Sequence, residues 1–122
     1  MKLNVAEITR AVGGALRRGA KEALATGVST DSRKAASGEV FFALKGPSFD
    51  GHAFVAEVAL KGAVAAVVER TNLPAGLPES FAVIEVADTL ASLGALASHI
   101  RGLSRIPFVA VSGSAGKTTT KE

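Results

Sequence analysis

The 122-residue sequence contains no cysteine, no tryptophan and no tyrosine, and only one methionine and two histidines. Without cysteine there is no disulfide, no thiolate zinc site and no thiol nucleophile, a composition that suits a reducing compartment. Without Trp or Tyr there is little on which to stack the bases of a nucleic acid, and the longest basic run is Arg17-Arg18, no stripe for a phosphate backbone. No segment offers eighteen uncharged apolar residues, so no membrane span is expected. Glu7 and Arg10 interrupt the stretch where a signal peptide needs an unbroken apolar run, which makes the cytoplasm the expected compartment. The formal net charge of +3 is mild and suits a small anionic ligand better than a polyanion.

What is present is a globular composition: 48% of residues are hydrophobic and 13 are glycine. One compact domain with its own core fits this length. Asn4, with Glu7 three residues on, is a capping-box signal for a short helix ending at Gly13-Gly14, with Leu3, Val5, Ile8 and Val12 on one apolar face. "ALRRG" is a short strand or a turn. "GVSTDSR" (27–33) begins extended and then turns, because Thr, Asp and Ser bond to nearby backbone. "GEVFFALKG" (38–46), "GAVAAVVER" (62–70) and "FAVIEV" (81–86) are apolar, β-rich runs bounded by turn residues and predict three buried strands. Asp50 caps a helix whose buried stripe is expected at Phe54, Val58 and Ala59. Asp88 caps a longer one with Leu90, Leu93, Leu96 and Ile100 at helical spacing, and Pro107 marks its end. "TNLPAGLPES" is a loop between them. His52 is expected in the first turn of its helix at the surface, and His99 on the exposed side of the long helix. Alternating strands and helices predict an α/β domain with a mixed sheet and flanking helices.

The chain closes on "FVAVSG" (108–113), an apolar strand, followed by "SAGKTTTKE". Gly113 and Gly116 permit a loop whose backbone N–H groups converge on an anion. Lys117 can reach β- and γ-phosphates, the Thr118 hydroxyl can ligate Mg²⁺, and a helix starting near Lys117 turns its positive end to the phosphates. Two residues separate the glycines, against four in the usual phosphate-binding loop, which argues against a generic GTPase or ATPase. Such a strand belongs to a parallel sheet of its own, so a boundary is expected near 104–107, dividing 1–106 from the start of a second, nucleotide-binding domain at 107–122.

The shortened "GxxGKT" loop, the "STDSRKAASGEVFFALKG" stretch (29–46) and "FDGHAFVAEVALKGAVAAVV" (49–68) together resemble the Mur ligases, ATP-dependent amide ligases of peptidoglycan precursor synthesis. The resemblance covers nearly the whole chain. It implies that residues 1–106 hold the UDP end of a sugar-nucleotide substrate and that 107–122 open a central ATPase domain continuing beyond this sequence, so that the 122 residues by themselves are expected to be inactive. It implies ATP and Mg²⁺ as cofactors. Gly113, Ser114, Ala115, Gly116, Lys117, Thr118 and Thr119 would lie at the nucleotide, with Lys117 the catalytic charge on the transferring phosphoryl group and Thr118 the metal ligand. Ala115 stands where the family often has Asn or Ser, at a position read through its backbone. Thr30 and Ser32, with Pro47, Ser48 and Phe49, would lie near the uracil and ribose; the competing reading is that Asp31 merely closes an Asx-turn and Arg33 pairs with a surface carboxylate.

Within the family, "ALKGPSFDGH" and "GKTTTKE" look most like the member that adds D-alanyl-D-alanine to UDP-N-acetylmuramoyl tripeptide through an acyl phosphate, acting as a monomer on small molecules and not on nucleic acid or membrane. The diaminopimelate- or lysine-adding ligase is the alternative, and a non-catalytic UDP-sugar or nucleotide-binding module is the alternative from another class.

Overall fold

The computed structural model describes residues 2–46, 50–69 and 76–103. Its centre is a five-stranded mixed sheet made of β2 (Ala15–Arg18), β4 (Gly27–Ser29), β5 (Glu39–Phe42), β6 (Ala65–Val68) and β7 (Ala82–Glu85), in the order β2-β7-β6-β5-β4. The four strands from β4 to β7 are parallel; β2 closes one edge antiparallel to β7, with a bulge between Leu16 and Arg18. A separate ribbon pairs β1 (Leu3–Asn4) with β3 (Leu24–Ala25). Three α-helices flank the sheet: α1 (Val5–Val12), α2 (Val55–Leu60), which continues a 3-10 turn over Gly51–Phe54, and α3 (Thr89–Leu103).

The three predicted strands are the central ones, and their apolar runs are continuous because both faces are covered. Val40, Phe42, Ala65, Val67, Ala82 and Ile84 point to one face and pack with Ile8 and Val12 of α1 and Leu96 of α3. Phe41, Ala66, Val68 and Val83 point to the other and pack with Val55, Val58 and Ala59 of α2 and with Phe81. "ALRRG" resolves as strand β2. The strands are shorter than the apolar runs because only the paired residues join the ladder.

Both predicted caps of the first helix are found: Asn4 Oδ1 accepts from Glu7 N at 2.8 Å, and Gly13 takes the left-handed conformation at φ 67°. Glu7 does not return the bond to Asn4; its carboxylate instead meets His99 Nε2 at 2.9 Å and ties α1 to α3. His99 is therefore half-buried in a helix–helix contact, not on an exposed side. Two stripe positions also differ from expectation. Phe54 is 39% exposed and Leu90 67% exposed. Phe54 belongs to the 3-10 turn, so the buried face of α2 starts one residue later at Val55. On α3 the buried stripe runs through Thr89, Ser92 and Leu96, and Leu90 lies a third of a turn off it. The strand at 108–113, the glycine loop and the boundary near 104–107 lie outside the described residues.

Candidate functional site

The parallel strands β4 and β5 end side by side, and the segments that follow them face one another. After β4 the chain turns through residues 30–33. Asp31 Oδ1 accepts from Arg33 N at 2.9 Å, the Asx-turn its sequence allows, and Lys34 N donates to Asp31 O at 3.0 Å. After β5, Leu44 O accepts from Gly51 N at 2.7 Å and Lys45 bridges to Asp50. Asp50 caps the next turn, its Oδ1 accepting from His52 N at 3.0 Å.

These two segments enclose an open cavity of about 420 Å³, lined by Thr30, Asp31, Ser32, Arg33, Phe41, Gly51 and Phe54. That volume suits a small-molecule site, and the place is where ligands bind in parallel α/β sheets, outside the carboxyl ends of the strands. Phe41, buried in the sheet, gives an apolar floor, and Phe54 stands half open at the rim. The turn is braced from behind: Ser32 is buried, and its carbonyl accepts from Lys61 Nζ at 2.6 Å, with Lys61 also 3.5 Å from Glu57. Gly51 is required by close approach. A Cβ there would stand 2.8 Å from Leu44 O and 2.9 Å from Leu44 N.

Charge at the rim is arranged by Arg33. Its Nε and one terminal nitrogen donate to the two Asp31 oxygens at 3.1 Å each, and this pairing holds the Asp31 carboxyl below the usual carboxylate range and raises Arg33. The guanidinium remains largely exposed. The Asx-turn and the ion pair exist, and the turn they shape lines a cavity.

Thr30 and Ser32 line this cavity. Pro47, Ser48 and Phe49 lie outside the described residues; Lys45 and Asp50, on either side of them in sequence, bridge to each other. Gly113, Ser114, Ala115, Gly116, Lys117, Thr118 and Thr119 also lie outside them. Arg33 had only its surface-pairing role in the sequence; Phe41, Gly51 and Phe54 had no signal as site residues, since each has an ordinary role in a strand or turn. His52 is corrected outright. It is buried, not at the surface, with Nδ1 2.7 Å from Asp50 Oδ1 and Nε2 2.9 Å from Glu69 N. Among the described residues, no three His, Cys, Asp or Glu side chains gather as they would around a metal ion, and no helix is long and apolar enough to cross a membrane.

Comparison with known proteins bears on the same segments. The family model described as "Mur ligase family, catalytic domain" matches residues 24–101. The UDP-N-acetylmuramoyl-tripeptide--D-alanyl-D-alanine ligase of Synechocystis is 44% identical over 95 residues, 78% of this chain and 20% of that protein. The ligase of the same description from Bacillus subtilis is 46% identical over 96 residues, 79% of this chain and 21% of its own length. The UDP-N-acetylmuramoyl-L-alanyl-D-glutamate--2,6-diaminopimelate ligase of Mesorhizobium japonicum is 43% identical over 94 residues, 77% of this chain and 19% of that protein. The crystal structure of MurF from Acinetobacter baumannii superposes with a TM-score of 0.73 at 33% identity, covering 86% of this chain and 22% of that one. The chain thus spans about a fifth of the length of the relatives it matches. Strands β4 to β7, the "TDSR" turn and the "FDGHAF" segment fall within the matched stretch, and the chain belongs to the Mur ligase family.

Proposed function

We propose that the cavity between residues 30–33 and 51–54 receives the uridine diphosphate end of a UDP-N-acetylmuramoyl peptide, and that the chain serves an ATP-dependent ligase adding D-alanyl-D-alanine to it. The observation that carries this reading is the convergence of the "TDSR" turn and the Asp50–Phe54 turn on one cavity at the ends of β4 and β5. Thr30 and the backbone of 30–33 offer donors and acceptors for a uracil edge or ribose. Phe41 and Phe54 offer apolar surface to a base, and Arg33 offers charge to a phosphate. Pro47, Ser48 and Phe49 belong to the same site in this reading.

Residues 1–106 are read as the UDP-sugar domain and 107–122 as the opening of the ATP domain. There Gly113 to Thr119 would hold the nucleotide, Thr118 the Mg²⁺ and Lys117 the γ-phosphate. ATP and Mg²⁺ supply activation of the substrate carboxylate for attack by the incoming amine. In a full-length ligase carrying this segment, Lys117→Ala should lower kcat by about 100-fold or more, since preorganised charge on the phosphoryl group is lost. Nearly unchanged turnover would remove Lys117 from the phosphates.

The choice of D-alanyl-D-alanine rests on the 44% and 46% identities and on the MurF structures, but the 43% identity to a diaminopimelate-adding ligase keeps that reading second. In a full-length ligase carrying this segment, phosphate release that requires UDP-muramoyl tripeptide and D-alanyl-D-alanine supports the first; release with the dipeptide substrate and diaminopimelate supports the second. Calorimetry tests the site itself. UDP should bind more tightly than ADP, and Phe54→Ala should weaken UDP at least about fivefold if the ring packs on the base. Equal binding of UDP and ADP, untouched by Phe54→Ala, would overturn the assignment.

A further inference from the structure

His52 follows Gly51 and stands two residues before Phe54, both of which line the cavity, yet its own side chain is only 3% exposed. Both ring nitrogens are engaged. Nε2 stands 2.9 Å from the backbone nitrogen of Glu69, and Nδ1 stands 2.7 Å from Asp50 Oδ1. The first contact decides the tautomer. A backbone N–H can only donate, so Nε2 must present its lone pair, and the ring proton sits on Nδ1, where the Asp50 carboxylate accepts it. The chain of bonds continues past the ring. Glu69 follows the last residue of β6, and its carboxylate accepts from Thr89 N at 2.9 Å and Thr89 Oγ1 at 3.2 Å at the start of α3. One connected path therefore runs from the cavity wall, through the imidazole, to the end of β6 and the start of α3.

An apolar side chain would fill the same space, but it would leave the Glu69 N–H unpaired. A residue that donates on one side and accepts on the other, across the width of a ring, satisfies both ends. We propose that His52, with its proton on Nδ1, is a positioning residue. It fixes the Asp50–Phe54 turn to the end of β6, so that Gly51 and Phe54 stand in place before a ligand arrives. Only the ligand-binding part of this proposal rests on reading the cavity as a uridine diphosphate site.

Two substitutions separate the halves of the bridge. His52→Asn can still donate to Asp50 but falls short of Glu69; His52→Gln can still accept from Glu69 N but no longer donates at the Nδ1 position. The test uses the 122-residue chain, long-range ¹H–¹⁵N spectra of the imidazole, amide exchange of Glu69, and UDP as the probe. The expected results are a proton on Nδ1 and a slowly exchanging Glu69 amide in the wild type. His52→Asn should speed that exchange about tenfold or more and His52→Gln should not. The UDP Kd should rise about 5- to 10-fold in both variants at conditions where their spectra show them folded. A proton on Nε2, a Glu69 amide that exchanges as fast in the wild type as in His52→Asn, or wild-type UDP affinity in both variants would overturn the proposal. If either variant fails to fold, the imidazole spectrum and Glu69 protection of the wild type still decide it. If the wild type ignores UDP but shows the Nδ1 proton and the protected amide, the uridine reading falls and the positioning role of His52 stands.

Discussion

At the residue scale the cavity depends on a few local contacts whose removal has distinct signatures. Arg33 lowers the Asp31 carboxyl chiefly through its guanidinium hydrogen bonds and then through its own backbone N–H. A carboxyl depressed in the folded state contributes stability above its unfolded value and loses that contribution as the pH falls through the folded one. The pair sits at the surface, where water screens it, so the consequence for global stability is small and the titration itself is the better observable. In a carboxyl-detected NMR titration Asp31 should protonate below the ordinary aspartate range, and Arg33→Ala should move its midpoint upward. A midpoint indifferent to Arg33 would contradict the pairing. Gly51→Ala acts through sterics. With backbone atoms of Leu44 at 2.8 and 2.9 Å from the new methyl, the turn must shift, at a cost of about 1–3 kcal/mol by urea unfolding. A cost below about 0.5 kcal/mol would show that the close approach is relaxed in solution.

At the scale of elements, what was legible in the sequence followed from how each element is buried. The runs around Val40–Ala43, Ala65–Val68 and Ala82–Ile84 announced strands because a parallel sheet covered on both faces needs apolar side chains at every position. The caps Asn4, Asp50 and Asp88 were legible because their side chains bond two or three residues on, within the reach of a sequence pattern. The ribbon of β1 and β3 was not, because two residues carry no period. Phe54 and Leu90 were misassigned because spacing alone does not say where a helical stripe starts. His52 was missed because its partner Glu69 lies seventeen residues away, just past the end of β6. These distinctions have energetic counterparts. Asn4→Ala should cost about 1 kcal/mol through the lost cap. Leu96→Ala should cost about 2–5 kcal/mol from the core, and Leu90→Ala less than about 0.5 kcal/mol. Equal losses at Leu96 and Leu90 would mean that α3 is rotated from the orientation described.

At the scale of the whole molecule, the candidate site hangs on the edge of the sheet. Among the described residues, strand β4 pairs with β5 alone, while β5, β6 and β7 are each paired on both sides. Native-state amide exchange should therefore be slowest in β5 to β7 and faster in β4, which carries the 30–33 turn. A ligand held between that turn and the Asp50–Phe54 turn would clamp the edge strand and should slow exchange there, with overall stabilisation of about 2.7 kcal/mol at a hundredfold excess over Kd. The most direct measurement is a titration of UDP into the ¹⁵N-labelled chain, followed by amide shifts with ADP as the control. Saturable shifts concentrated at residues 30–33 and 51–54, with smaller ones along β4, are the predicted result. Shifts that avoid those residues, or an identical response to ADP, would contradict the assignment of this cavity to the uridine diphosphate end of the substrate.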